Sequence, residues 1–154
     1  MDIEEAIFLG VVTSYGSTPG TVIVRRPDKD DRTSAELSVL QRGTHSTKDY
    51  WMPSIDDQVL CILIPNAGGK GAGAGFVVSA IYSDADPPPA EANPNTRILN
   101  HPGDLILNIG GNLKIAAGNV DIQGGGDATI NGISLVSHVH GGILPGGSDT
   151  GTPH

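Results

Sequence analysis

Four short glycine-led units fill much of the last third of this chain and limit most sharply what it can fold into. They are Gly103-Asp104-Leu105-Ile106-Leu107, Gly111-Asn112-Leu113-Lys114-Ile115, Gly118-Asn119-Val120-Asp121-Ile122 and Gly126-Asp127-Ala128-Thr129-Ile130. Their starts lie eight, seven and eight residues apart. Each unit reads as a turn signal followed by a short strand whose alternate residues face one side. The period is shorter than that of the common solenoid repeats. One chain needs about three such units to close a triangular coil, so four units bury almost nothing alone. Three chains wound together need one unit each per coil. The pattern therefore predicts one strand of an intertwined, homotrimeric β-helix.

The rest of the chain has a different composition. All six aromatic residues precede residue 83, and thirteen of the 22 glycines follow residue 97. Aromatic side chains fill the volume of a compact core, whereas a narrow three-fold axis has room for aliphatic ones. The contrast predicts a globular head and a thin shaft. Net charge is −8, which argues against a phosphate-binding surface, because nucleic-acid affinity rests on Lys and Arg. Cys61 is the only cysteine, so no intrachain disulfide forms, and its place in Val59-Leu60-Cys61-Ile62-Leu63-Ile64 predicts a small buried apolar role. The acidic start Met1-Asp2-Ile3-Glu4-Glu5 lacks the basic and apolar parts of a signal peptide, which predicts synthesis in the cytosol without classical export.

Five strands are expected in the head, over residues 8–14, 21–26, 35–40, 58–64 and 75–82, with Gly10 at a bend or bulge and the fourth strand central. Turn chemistry at Ser17-Thr18-Pro19-Gly20, at Pro27-Asp28-Lys29-Asp30-Asp31 and across 67–73 separates them. Five short strands with a long connection over 41–55 predict an all-β fold, with an N-terminal five-stranded Greek-key barrel of the OB type. The expected boundaries are a head over 1–82, a proline-rich linker over 83–97, a shaft over 98–136 and a tip over 137–154. Gly68-Gly69-Lys70-Gly71-Ala72-Gly73 lacks P-loop spacing and reads as a hairpin loop.

His138-Val139-His140 follows the repeats. In an extended strand, residues i and i+2 project to the same face. With that face toward a three-fold axis, three chains deliver six imidazoles, a donor set suited to octahedral iron, with nickel or cobalt as substitutes and zinc less favoured. His45 and His101 are expected in exposed loops, and His154 is not assigned as a ligand. Apolar alternation slips at Leu135-Val136, so a bend or bulge is expected between Ile133 and His138.

These features together resemble a known family, the central spike of contractile phage tails and tailocins, the Mu-like baseplate assembly protein V. The resemblance rests on Gly10-Val11-Val12, on Tyr50-Trp51-Met52-Pro53 followed by Asp57-Gln58-Val59-Leu60, on Ala80-Ile81-Tyr82-Ser83, and above all on Ile130-Asn131-Gly132-Ile133-Ser134-Leu135 leading into Ser137-His138-Val139-His140-Gly141. It spans nearly the whole chain. It implies a trimer of OB barrels on a baseplate hub protein, a triple-stranded β-helix, and a tip iron held by His138 and His140 of three chains. Calcium and chloride inside the spike are also implied, without residues to assign to them. The expected function is a non-enzymatic, cell-puncturing spike of a virion or tailocin baseplate, made in the bacterial host cytoplasm, touching the target envelope and binding no nucleic acid. Two rival readings are an OB-type single-stranded nucleic-acid-binding protein with a trimerising tail, and a trimeric metalloenzyme. The latter lacks acid–base groups near His138, where only Ser134, Ser137, Ser148 and Asp149 stand.

Overall fold

Alternation over residues 7–15 puts Phe8, Gly10 and Val12 on one side of the chain and Ile7, Leu9 and Val11 on the other, and the first set lines the interior of a barrel. The computed structural model describes residues 3–66, 68 and 73–139. It divides into two units, Met1–Pro102 and Gly103–His154.

In the first unit a single helical turn, α1 (Ile3–Ala6), leads into β1 (Ile7–Tyr15). There follow β2 (Thr21–Arg26), β3 (Arg32–Thr33), β4 (Leu37–Val39), β5 (Gly43–Thr44), β6 (Lys48–Asp49), β7 (Gln58–Ile64) and β8 (Ala74–Ile81). Five of these strands close a barrel in the order β1-β2-β4-β8-β7 and back to β1. All neighbours are antiparallel except β4 and β8, which the long connection after β4 brings together in parallel. The topology is compatible with an OB-like barrel, and closure pairs the backbone edges that open sheets leave free.

Every expected head strand is present. The third is shorter than expected, and two additions were not foreseen: β3, which extends the β2 turn, and the β5–β6 hairpin inside the 41–55 connection. The bulge in β1 lies between Val12 and Ser14, not at Gly10. Gly10 instead marks a close approach: a Cβ there would collide with the Val24 side chain and come within 2.9 Å of the Arg25 carbonyl.

Val12, Val22, Val24, Val59, Cys61 and Val77 are fully enclosed, with Phe8, Leu37 and Val39 completing the core. Burial pushes the Cys61 thiol up to about 12, with Arg26 acting weakly against it, so the thiol is a packing group. Outside the core, Trp51 is held by its indole N–H donating to the Leu40 carbonyl at 2.9 Å. The Gln41 side chain accepts from the Trp51 N–H at 2.9 Å and donates to the Trp51 carbonyl at 3.0 Å, acting as a strand partner for a loop. Pro53 is fully buried, and Trp51 and Met52 pack against the core, whereas Tyr50 is exposed.

The outward residues of β1, β7 and β8 fall into cross-strand rows: Ile7 with Ile62 and Phe76, Leu9 with Leu60 and Ser79, and Val11 with Gln58 and Ile81. The fourth expected strand, β7, is thus apolar on both faces, although only Val59 and Cys61 reach the core. Residues 83–102 carry no strand and are organised by turns, such as Ser83 N–H to the Asp86 carbonyl and Thr96 N–H to the Asn93 carbonyl.

Candidate metal centre and shaft

The repeat units place a row of aliphatic side chains in water. From residue 103 to residue 127 no strand forms, every residue is exposed, and no backbone–backbone hydrogen bond joins two of these residues. Leu105 is 63% exposed and Ile122 78%. The first three units therefore find no strand partner among the described residues of their own chain.

The fourth unit behaves differently from the expectation. Thr129–Ile130 (β9) turns back on Ile133–Ser134 (β10) and pairs antiparallel with it. The turn residues Asn131 and Gly132 both have positive φ, 51° and 79°, which is why Asn-Gly stands there. The Leu135 N–H donates to the Ala128 carbonyl at 2.8 Å, extending the hairpin by one bond. Next the chain turns. The Ser137 N–H donates to the Ser134 hydroxyl oxygen at 2.7 Å, and the two serine hydroxyls lie 2.8 Å apart. The expected slip in alternation at Leu135-Val136 is thus a turn over residues 135–137.

His138 emerges from this turn, exposed, and not from a strand. Its Nδ1 lies 2.8 Å from the Ser134 carbonyl oxygen. In the tautomer that donates from Nδ1 to this carbonyl, the basic lone pair is on Nε2, the arrangement common among metal-bound histidines. On this observation His138 fits a ligand role. His140 and His154 lie outside the described residues, as do Ser148 and Asp149. His45 and His101 are exposed, as expected. Among the described residues no three His, Cys, Asp or Glu side chains of one chain converge on a metal position.

The barrel has its own polar features. At one end an open hollow of about 540 Å³ is lined by Phe8, Leu37 and Leu63, with Arg26, Arg32 and Glu36 among its polar residues. Most cations nearby are engaged. Arg25 pairs with Asp31, Arg26 with Asp28 at 2.7 Å while lying over the Phe8 ring at 3.9 Å, and Lys29 with Glu5 at 3.8 Å. Arg32 has no ion partner among the described residues.

Glu36 was not singled out by the sequence. Its carboxylate accepts from the Ser17 hydroxyl at 2.7 Å, the Ser17 N–H at 2.8 Å, the Thr21 hydroxyl at 2.9 Å and the Thr18 N–H at 3.3 Å. The Ser17 hydroxyl and then its N–H hold the carboxyl at about 2, below its usual range, by favouring the charged form. Glu36 thus ties down the turn between β1 and β2. Only the hydroxyl-rich Ser17-Thr18 nineteen and eighteen residues away hints at this, and sequence spacing does not reveal it.

Compared with known proteins, the chain matches no family model and no curated protein.

Proposed function

We propose that this chain is one third of a non-enzymatic spike: a β-barrel head on an intertwined triple-stranded shaft, seated on a hub protein of a contractile tail baseplate and used to pierce a cell envelope. The observation that carries this reading is the stretch from Gly103 to Asp127, where aliphatic side chains and backbone are left without partners among the described residues of their own chain. Burying one Leu or Ile is worth about 1.5–3 kcal/mol, so the row from Leu105 to Ile122 represents on the order of 10 kcal/mol per chain that other chains would realise. The resemblance of the tip sequence to the spike family supplies the piercing role.

In this reading His138 and His140 of three chains hold one iron, whose chemistry is structural, tying together termini that otherwise fray. Ser134 holds the His138 ring through its carbonyl. Calcium and chloride remain part of the proposal without assigned residues. The protein belongs on a virion or tailocin baseplate, assembled from host cytoplasm.

Light scattering on the purified protein should give about 47 kDa, three times 15.8 kDa. Elemental analysis should find about one third of an iron per chain, and His138→Ala with His140→Ala should remove it while the trimer persists. A monomer sinks the spike reading, and iron retained by the double variant sinks the ligand assignment alone. The barrel's OB-like topology favours one other reading, single-stranded nucleic-acid binding. The ion pairs of Arg25, Arg26 and Lys29 leave little free charge there for phosphates, and salt-dependent binding of single-stranded DNA would reinstate that reading.

A further inference from the structure

We infer that Asn131 is a self-modifying site, where the backbone nitrogen of Gly132 converts the asparagine to aspartate and isoaspartate and so rebuilds the chain just ahead of His138. The chemistry needs a backbone nitrogen that no side chain shields, and glycine leaves it open. Of the eight asparagines, Asn131 alone is followed by glycine. In the repeat units glycine stands in front of Asn112 and Asn119, and the side chains of Leu113 and Val120 crowd the nitrogen that follows. Pro94 after Asn93 has no N–H. The Asn93 carboxamide is held as well, donating to the Glu91 carbonyl at 3.1 Å and accepting from the Asn95 N–H at 3.0 Å. Asn131 has none of these protections. It and Gly132 are both exposed, and nothing lies within 4 Å of where a Gly132 Cβ would stand. Among the described residues neither the Asn131 carboxamide nor the Gly132 N–H is hydrogen-bonded.

Water is the only co-reactant. The Gly132 nitrogen loses its proton to solvent base and bonds to Asn131 Cγ. The Cγ–Nδ2 bond breaks, Nδ2 leaves as ammonia, and a five-membered imide closes. Water then opens the ring. Cleavage between the nitrogen and Cγ leaves aspartate; cleavage between the nitrogen and the main-chain carbonyl carbon leaves isoaspartate, whose main chain runs through Cβ. The attack needs backbone rotation at Asn131 that the closed turn resists, so the hairpin has to open first. Its strands β9 and β10 are two residues each, a pairing that is marginal in water. Isoaspartate lengthens the turn by a methylene, which the two-residue geometry pairing Ile130 with Ile133 does not accommodate. The Leu135 bond to Ala128 and the seat of His138 against the Ser134 carbonyl depend on that hairpin. Aspartate keeps it, since Asp-Gly suits the same turn. The effect on a tip ion rests on the spike reading; the modification itself does not.

The test ages the full chain in mildly alkaline and in mildly acidic buffer, digests it, and follows every asparagine by peptide mass spectrometry. The Asn131 peptide should exchange amide for carboxyl at least about tenfold faster than any of the other seven asparagines. It should do so faster in the alkaline buffer and resolve into two products of equal mass, the isoaspartate form the larger. Asn131→Gln, which cannot close a five-membered ring, should keep its amide. Iron per chain should fall in step with isoaspartate content. In Asn131→Asp, which carries the charge without the added methylene, iron should stay at the level of the unaged chain. An Asn131 that converts no faster than the other asparagines overturns the inference and leaves the spike reading standing. Iron content indifferent to isoaspartate overturns the link to the tip. Conversion at Asn131 in a chain that proves monomeric upholds the modification and sinks the spike reading alone.

Discussion

Leu37 and Leu105 have the same side chain, yet one is 2% exposed and the other 63%. Val59 and Val120 repeat the contrast at 0% and 60%. The difference lies in who supplies the enclosure. In the head, β1 is covered by β2 and β7, and β4 by β2 and β8, so the chain shelters its own apolar residues through pairings remote in sequence. In the tail, units of five residues repeat with no return strand until the Asn131-Gly132 turn, so apolar residues of the same kind stay in water. The head encloses an apolar core of its own. The described tail encloses none.

That contrast can be broken most forcefully at Ile115. In the proposed three-chain shaft, Ile115→Asp would set three carboxylates against one another around a shared apolar axis, where ionised groups are very costly. The expected outcome is complete loss of the three-chain particle by light scattering, with the head still showing a cooperative melt. An unchanged particle would show that Ile115 faces solvent in the assembly.

Leu37→Ala attacks the other side. It opens a cavity in the barrel and should cost about 2–5 kcal/mol, read as a lower denaturant midpoint for the head transition. The tail assembly should hold. A coupled loss of both would mean that the two units are not energetically separate.

Gly132→Ala should matter less, by about 1 kcal/mol, because the residue has φ 79° and nothing within 4 Å of an added Cβ. Only the β9–β10 hairpin should respond, visible as faster amide exchange at Leu135 and Ser137. Unaltered exchange there would show that the assembled tail, not the turn, fixes this hairpin.

The smallest effect should come from Glu36. Its folded value of about 2 lies below the ordinary 4.5, so its contribution is full above about 4.5 and fades as pH falls toward about 2. Glu36→Gln should flatten the acid limb of head stability over that window and leave neutral-pH assembly unchanged. Because the carboxylate is exposed, the change should be slight. An acid limb identical to that of the wild type would remove Glu36 from the account.

Much of the head was legible in the chain. Alternation in the chain sets Leu37 with Val39, and Val22 with Val24, each pair on one face, because a strand's two-residue period translates directly into sidedness; the fold turns both faces inward. The Asn131-Gly132 hairpin was not anticipated, since the expected shaft ran through these residues to 136. At the candidate site the sequence supplied His138 as a donor type, but not the Ser134 carbonyl beside its ring. A backbone carbonyl has no sequence signature.

By itself, then, the sequence determined which residues are apolar, how often they recur, and that the head and tail cannot be built alike. Those properties follow from local periodicity and composition, which need no knowledge of distant contacts. Tertiary structure alone decided that β4 meets β8 in parallel, that the bulge falls at Thr13 while Gly10 makes room for Val24, and that Glu36 reaches the Ser17 turn. It also decided that the outward residues of β1, β7 and β8 line up in cross-strand rows. Register and closure join residues tens of positions apart, and a one-residue slip in either would send every one of those side chains to the opposite face.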